Sequence, residues 1–125
     1  MTWGHEGRTK EFRALEQAFE TFGKQTGLPV IPVGLAWEAA LKDKPDLRLY
    51  EPDKHHPIRL AIYLNACVLY AALTGHSPEG LGNGGVDELT PDMQAFLQRV
   101  AWETVCAYAK QAKDSPSQEQ DKEQP

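Results

Sequence analysis

The sequence predicts an α/β layered domain, mostly helical, in which one buried strand lies among helices. Three observations favour this class. Apolar residues recur at helical spacing in two long segments, a short β-branched run lies between two glycines, and one helix is apolar on almost every side. A helix of the last kind needs other layers on both flanks to cover it. Because only one strand is evident, the predicted sheet is incomplete.

The first predicted helix and the predicted strand follow each other directly. Four apolar residues of segment 9–26 fall three or four apart and so share one helical face, and Gly27 supplies the stop; they are Phe12, Leu15, Phe19 and Phe22. Residues 28–33, Leu-Pro-Val-Ile-Pro-Val, are rich in β-branched side chains and end at Gly34. This run predicts a buried strand despite its two prolines. A short helix over residues 35–42 is expected next.

The second half of the chain contains the helix that is apolar on nearly all sides, over residues 60–73. The glycine-rich residues 80–85 predict a flexible loop, and Thr90 can cap a final helix that runs to about residue 110. After that point the only aliphatic residue is Ala112. We therefore expect one domain over residues 1–110 and a disordered polar tail over residues 111–125.

The composition limits the classes of function. The chain has 125 residues, with 13 basic against 18 acidic side chains and a formal net charge of −5. This acidic balance argues against a nucleic-acid partner, because phosphate binding needs a concentrated positive field. No segment reaches the roughly 18 apolar residues that span a bilayer, and the amino end lacks the pattern of a signal peptide. Two cysteines, Cys67 and Cys106, show no metal-ligand spacing, and we expect both in the core.

The richest chemistry lies in residues 49–57, Leu-Tyr-Glu-Pro-Asp-Lys-His-His-Pro. Asp53 and His56 are three apart in a turn that enters a helix, so the carboxylate can reach an imidazole nitrogen and orient the ring. A histidine held by an aspartate is the general-base half of a hydrolase, which also needs a nucleophile such as serine and oxyanion donors. Such pairs also arise as helix-start caps or surface charge pairs. The histidine spacing matches no common ligand pattern, so neither a metal site nor a cofactor is predicted.

Residues 33–78 resemble the carboxyl-terminal block of the SGNH (GDSL-type) hydrolases. In that family an Asp-x-x-His-Pro precedes a helix of the kind seen here, which ends YLNACVLYAALTGHSP. The resemblance implies a flavodoxin-like layered fold and an ester substrate. It makes Asp53 the acid that orients the ring and His56 the base that deprotonates a serine. Two positions depart from the pattern, because Lys54 stands where the family usually has glycine and Ile58 where it usually has serine.

The rest of that family's site is absent from these 125 residues, which contain neither a Gly-Asp-Ser motif nor a Gly-x-Asn block for the oxyanion. We therefore expect the carboxyl-terminal part of an SGNH-type hydrolase, begun at an internal methionine or split from its first half, and inactive by itself. A missing first half would also take any signal peptide with it, so localisation stays undetermined.

The expected partners are a small-molecule ester in the complete enzyme, and either the missing amino-terminal segment or a second copy joined through the open sheet edge. The alternative hypothesis is a small non-catalytic helical module for protein interaction. In that case Asp53 and His56 only stabilise their loop.

Overall fold

The computed structural model describes residues 6–7 and 9–114, and this part of the chain is helical. The helices in chain order are α1 (Thr9–Thr26), α2 (Val33–Asp43), α3 (Arg59–Thr74) and α4 (Pro91–Asp114). The described residues form no strand, and the β-type pairing recorded among them is an isolated antiparallel bridge between Tyr50 and Pro57.

The strand predicted over residues 28–33 is wrong, and with it the α/β class and its flavodoxin-like layers. Residues 28–32 have no regular structure, and Val33 already begins α2. The two prolines remove backbone N–H donors from this run, and no strand among the described residues offers a ladder to the donors that remain. The β-branched composition reported a local preference that no partner strand satisfies. The described residues also offer no sheet edge through which a second copy could pair.

The chain after α1 turns back against that helix. Gly27, at φ +76°, ends α1 in the left-handed conformation that favours glycine. Gly23 lies on the inner side of this turn, where a Cβ atom would come within 2.7 Å of Val30 Cγ2. The predicted amphipathic face of α1 packs only in part, since Phe22 is 60% exposed.

The hydrophobic core is formed by α2, α3 and α4 together with the segments that join them. None of its buried residues comes from α1, which an exposed ion pair of 2.7 Å between Arg13 and Glu38 ties to α2. The largest fully buried aliphatic side chains of the core are those of Leu49, Leu64, Val68 and Leu97. Cys67 is buried as predicted, whereas Cys106 is exposed, so the prediction of a core position for Cys106 is wrong.

The helix ends of the second half follow the sequence signals. Gly75, at φ +74°, ends α3, and the Thr90 hydroxyl accepts the Met93 N–H at 3.2 Å, which confirms the predicted cap of α4. Helix α4 continues to Asp114, and residues 115–125 of the predicted tail lie outside the described residues. None of the described helices is both long enough and apolar enough to cross a membrane.

Candidate functional site

Asp53 and His56 lie near the tip of the loop that joins α2 to α3. Backbone hydrogen bonds cross the base of this loop, from Ile58 N–H to the Leu49 carbonyl at 3.0 Å and from Glu51 N–H to the His56 carbonyl at 2.7 Å. Since α3 starts directly after this crossing, the loop is fixed to the first turn of a core helix. The sequence places both predicted residues correctly on one turn.

The Asp53 carboxylate accepts hydrogen bonds at both oxygens. Oδ1 accepts the N–H groups of His55 at 2.9 Å and His56 at 3.0 Å, and Oδ2 lies 2.5 Å from His56 Nδ1. The hydrogen bond with His56 chiefly, and the two backbone N–H groups next, hold the pKa of Asp53 well below its usual range. The carboxylate is therefore ionised at neutral pH. It engages Nδ1, which leaves Nε2 as the ring nitrogen that can act on another group.

Lys54 takes up the backbone conformation that the Asp53–His56 turn requires. Its φ of +63° lies in the left-handed region that glycine enters freely and other residues enter at a cost. Two hydrogen bonds hold it there, from its N–H to the Glu51 carbonyl and from Glu6 N–H to its own carbonyl, both at 2.9 Å. The departure from the family pattern at this position is thus one of residue type and not of backbone conformation.

The pair is open to solvent. The His56 side chain is 72% exposed and the Asp53 side chain 50%, and the ring of His55 meets the His56 ring edge to face at 5.0 Å. The described residues do not form a cleft around the pair, although the hydrolase hypothesis predicts one. In the described part of the chain, no three histidine, cysteine, aspartate or glutamate side chains lie close enough together to hold a metal ion.

A surface cavity of about 510 Å³ lies away from this pair, beside the start of α4. Lys44 Nζ and Arg99 Cζ lie 4.9 and 5.4 Å from the centre of the Phe96 ring at its wall. Glu79 and Asp92 line the same cavity. Because cations and carboxylates alternate around it, its charges favour no single class of ligand.

A buried polar clamp on the glycine loop was missed by the sequence analysis. Gln98 is 3% exposed; its Oε1 accepts the Gly80 N–H at 3.1 Å, and its Nε2 donates to the Leu81 carbonyl and the Tyr63 hydroxyl, both at 2.8 Å. Tyr63 in turn donates to the Gly82 carbonyl at 2.8 Å. The available signal was a glutamine on the apolar face of α4 and a tyrosine within the apolar α3.

Fold and site together define a small helical protein that carries an exposed, aspartate-oriented histidine at the entry of its central helix. Comparisons with protein-family models, with curated proteins and with solved structures give no match.

Proposed function

We propose that Asp53 and His56 are the acid–base half of an ester hydrolase of the SGNH type. The serine nucleophile and the oxyanion donors would come from polypeptide that these 125 residues do not contain. The observation that carries the proposal is the 2.5 Å contact of Asp53 Oδ2 with His56 Nδ1. It selects one ring nitrogen for the carboxylate and the other for proton transfer, which is the division of roles in a serine hydrolase triad.

The proton transfers follow from that division. His56 Nε2 accepts the proton of the serine hydroxyl while the serine oxygen attacks the ester carbonyl carbon. The ring then gives the proton to the departing alkoxide as the acyl-enzyme forms. In the second half, Nε2 accepts a proton from water, the resulting hydroxide attacks the acyl carbon, and the proton returns to the serine. The ionised Asp53 stabilises the imidazolium formed in each half.

Two further features support the proposal. The turn at Lys54 has the φ of a glycine at the position where the resembled family usually has glycine, so the local backbone matches the pattern. The exposure of His56 leaves its ring accessible to a serine on another polypeptide segment. By itself the chain lacks the groups that supply most of the rate enhancement, so we expect it to hydrolyse esters negligibly.

The proposal is tested by complementation with a short-chain ester such as p-nitrophenyl acetate. The chain is mixed with a separately produced amino-terminal segment of an SGNH hydrolase that contains Gly-Asp-Ser, and hydrolysis and fluorophosphonate labelling of the serine are followed. If His56 is the general base, His56→Ala lowers both by at least about a hundredfold. His55→Ala is the matched control, because its ring is the neighbour that Asp53 does not hold through a side-chain bond.

A readout on the chain by itself separates failed complementation from a wrong site. The His56 Nδ1 proton should give a downfield NMR resonance that disappears in Asp53→Asn. Hydrolysis that is indifferent to His56→Ala would remove this histidine from the mechanism. The pair would then only stabilise its loop, as the interaction-module hypothesis holds.

A further inference from the structure

Helix α3 carries an exposed aliphatic stripe on the flank that faces away from the core. We define this stripe as Ile62, Ala66, Leu69 and Leu73; all four residues are exposed, the three large ones by 51%, 41% and 72%. Their spacing of four, three and four residues places them on one helical face. The stripe spans about 16 Å along the helix axis. Residues 60–74 include no charged side chain, so nothing along this face opposes an apolar partner.

The stripe is symmetric about its own centre. Its spacing reads the same in both directions, and the midpoint lies between residues 67 and 68. If two such helices cross antiparallel about a two-fold axis at this point, Ile62 faces Leu73 of the other copy. The small Ala66 then faces Leu69 of the other copy. Large side chains meet at the ends and a small one receives a large one near the centre, which is the complementarity that close helix packing needs.

We propose that this stripe is a homodimer interface, in which α3 of one copy packs antiparallel on α3 of a second copy. A two-fold interface requires one patch that complements itself, and the large–small order of the stripe meets that condition. The absence of charge matters too, because two copies of net charge −5 repel each other at long range while the patch itself adds no like-charge contact. Added salt should therefore strengthen the dimer.

The size of the stripe sets the expected affinity. One helix pair of this length lies at the small end of specific interfaces, which corresponds to weak or transient association. A dissociation constant on the order of micromolar is expected. The inference uses α3 only, so it holds whether or not His56 takes part in ester hydrolysis.

Sedimentation of the full chain over roughly 1 to 500 μM tests the proposal, because this range brackets a micromolar constant. We expect a concentration-dependent dimer whose dissociation constant rises at least about tenfold in Leu69→Glu, where a charge replaces the central contact. Leu81→Glu is the matched control, since Leu81 is 44% exposed and lies outside α3. A chain that stays monomeric over this range, or a dimer weakened equally by both substitutions, overturns the proposal.

Disulfide trapping tests the antiparallel register. In a Cys106→Ser background, chains with Ile62→Cys and chains with Leu73→Cys are oxidised separately and mixed. The mixture should form the cross-link, whereas Ile62→Cys should not link to itself, because the two copies of position 62 lie about 16 Å apart along the helix axis. Self-linking at position 62 would indicate a parallel pair and overturn the proposed arrangement. The circular dichroism spectrum of each variant verifies that the helices are retained.

Discussion

The buried amide of Gln98 should be the polar side chain on which the glycine loop most depends. Gln98→Leu keeps the side-chain volume similar and removes hydrogen bonds to Gly80, Leu81 and Tyr63. The Leu81 carbonyl keeps a bond of 2.9 Å from Gln94, and the exposed Gly80 N–H can turn to water. Each such bond contributes about 0.5 to 1.5 kcal/mol, so with these partial replacements we expect a loss of about 2 to 3 kcal/mol.

Gln94→Leu is the matched control one helical turn away. It removes one partly exposed hydrogen bond to the same Leu81 carbonyl and should cost less than about 1 kcal/mol. Urea unfolding of both variants gives the comparison, provided that the slopes of the unfolding free energy against urea agree. Hydrogen exchange locates the effect, which should appear at residues 80–85 before the rest of the chain. Equal costs for Gln98→Leu and Gln94→Leu would refute the inference that burial makes Gln98 the principal clamp.

Two further predictions follow from pKa shifts that burial causes. Burial chiefly, and then the carboxylates of Glu6 and Glu11, raise the pKa of Tyr50 from 10.0 to about 12. Its contribution to stability is therefore complete below pH 10 and lost between about pH 10 and 12, so Tyr50→Phe should reduce the fall in melting temperature in that window. Burial also raises the pKa of Cys67 to about 11, so Ellman's reagent should modify Cys106 in the native chain and both thiols after unfolding. Rapid modification of both thiols without unfolding would contradict the buried position of Cys67.

The helices were predictable because their signals are local. Apolar spacing, a glycine stop after residue 26, a glycine stop after residue 74 and the Thr90 cap each act within a turn or two of the residue that carries them. The strand over residues 28–33 failed for the opposite reason. A strand is stable only with a partner, and the pattern of one segment says nothing about whether a partner exists. Gly23 was the overlooked sign, since a glycine late in an amphipathic helix indicates close approach of another segment.

The candidate site was predictable in its chemistry but not in its setting. The three-residue spacing of Asp53 and His56 fixes their contact through one turn of backbone, and Asp53 accepts the N–H groups of that same turn. The walls of a cleft are formed by distant residues, so the exposed setting of the pair could not be inferred from its spacing. The Gln98 clamp was missed for the same reason, because its partner Tyr63 lies 35 residues away.

Helix α3 unites these results, because its composition asks for more cover than the described residues provide. An all-apolar helix is expected to be buried on both flanks, and here one flank packs in the core while the stripe from Ile62 to Leu73 is exposed. Each exposed Å² of that stripe would gain about 25 cal/mol on burial, so a partner that covers it is favoured by the hydrophobic effect. The stripe begins six residues after His56 on the helix that the catalytic loop enters. A serine-bearing segment that reaches the ring of His56 would therefore approach the same flank as a second copy, so the two proposed partners would compete for it.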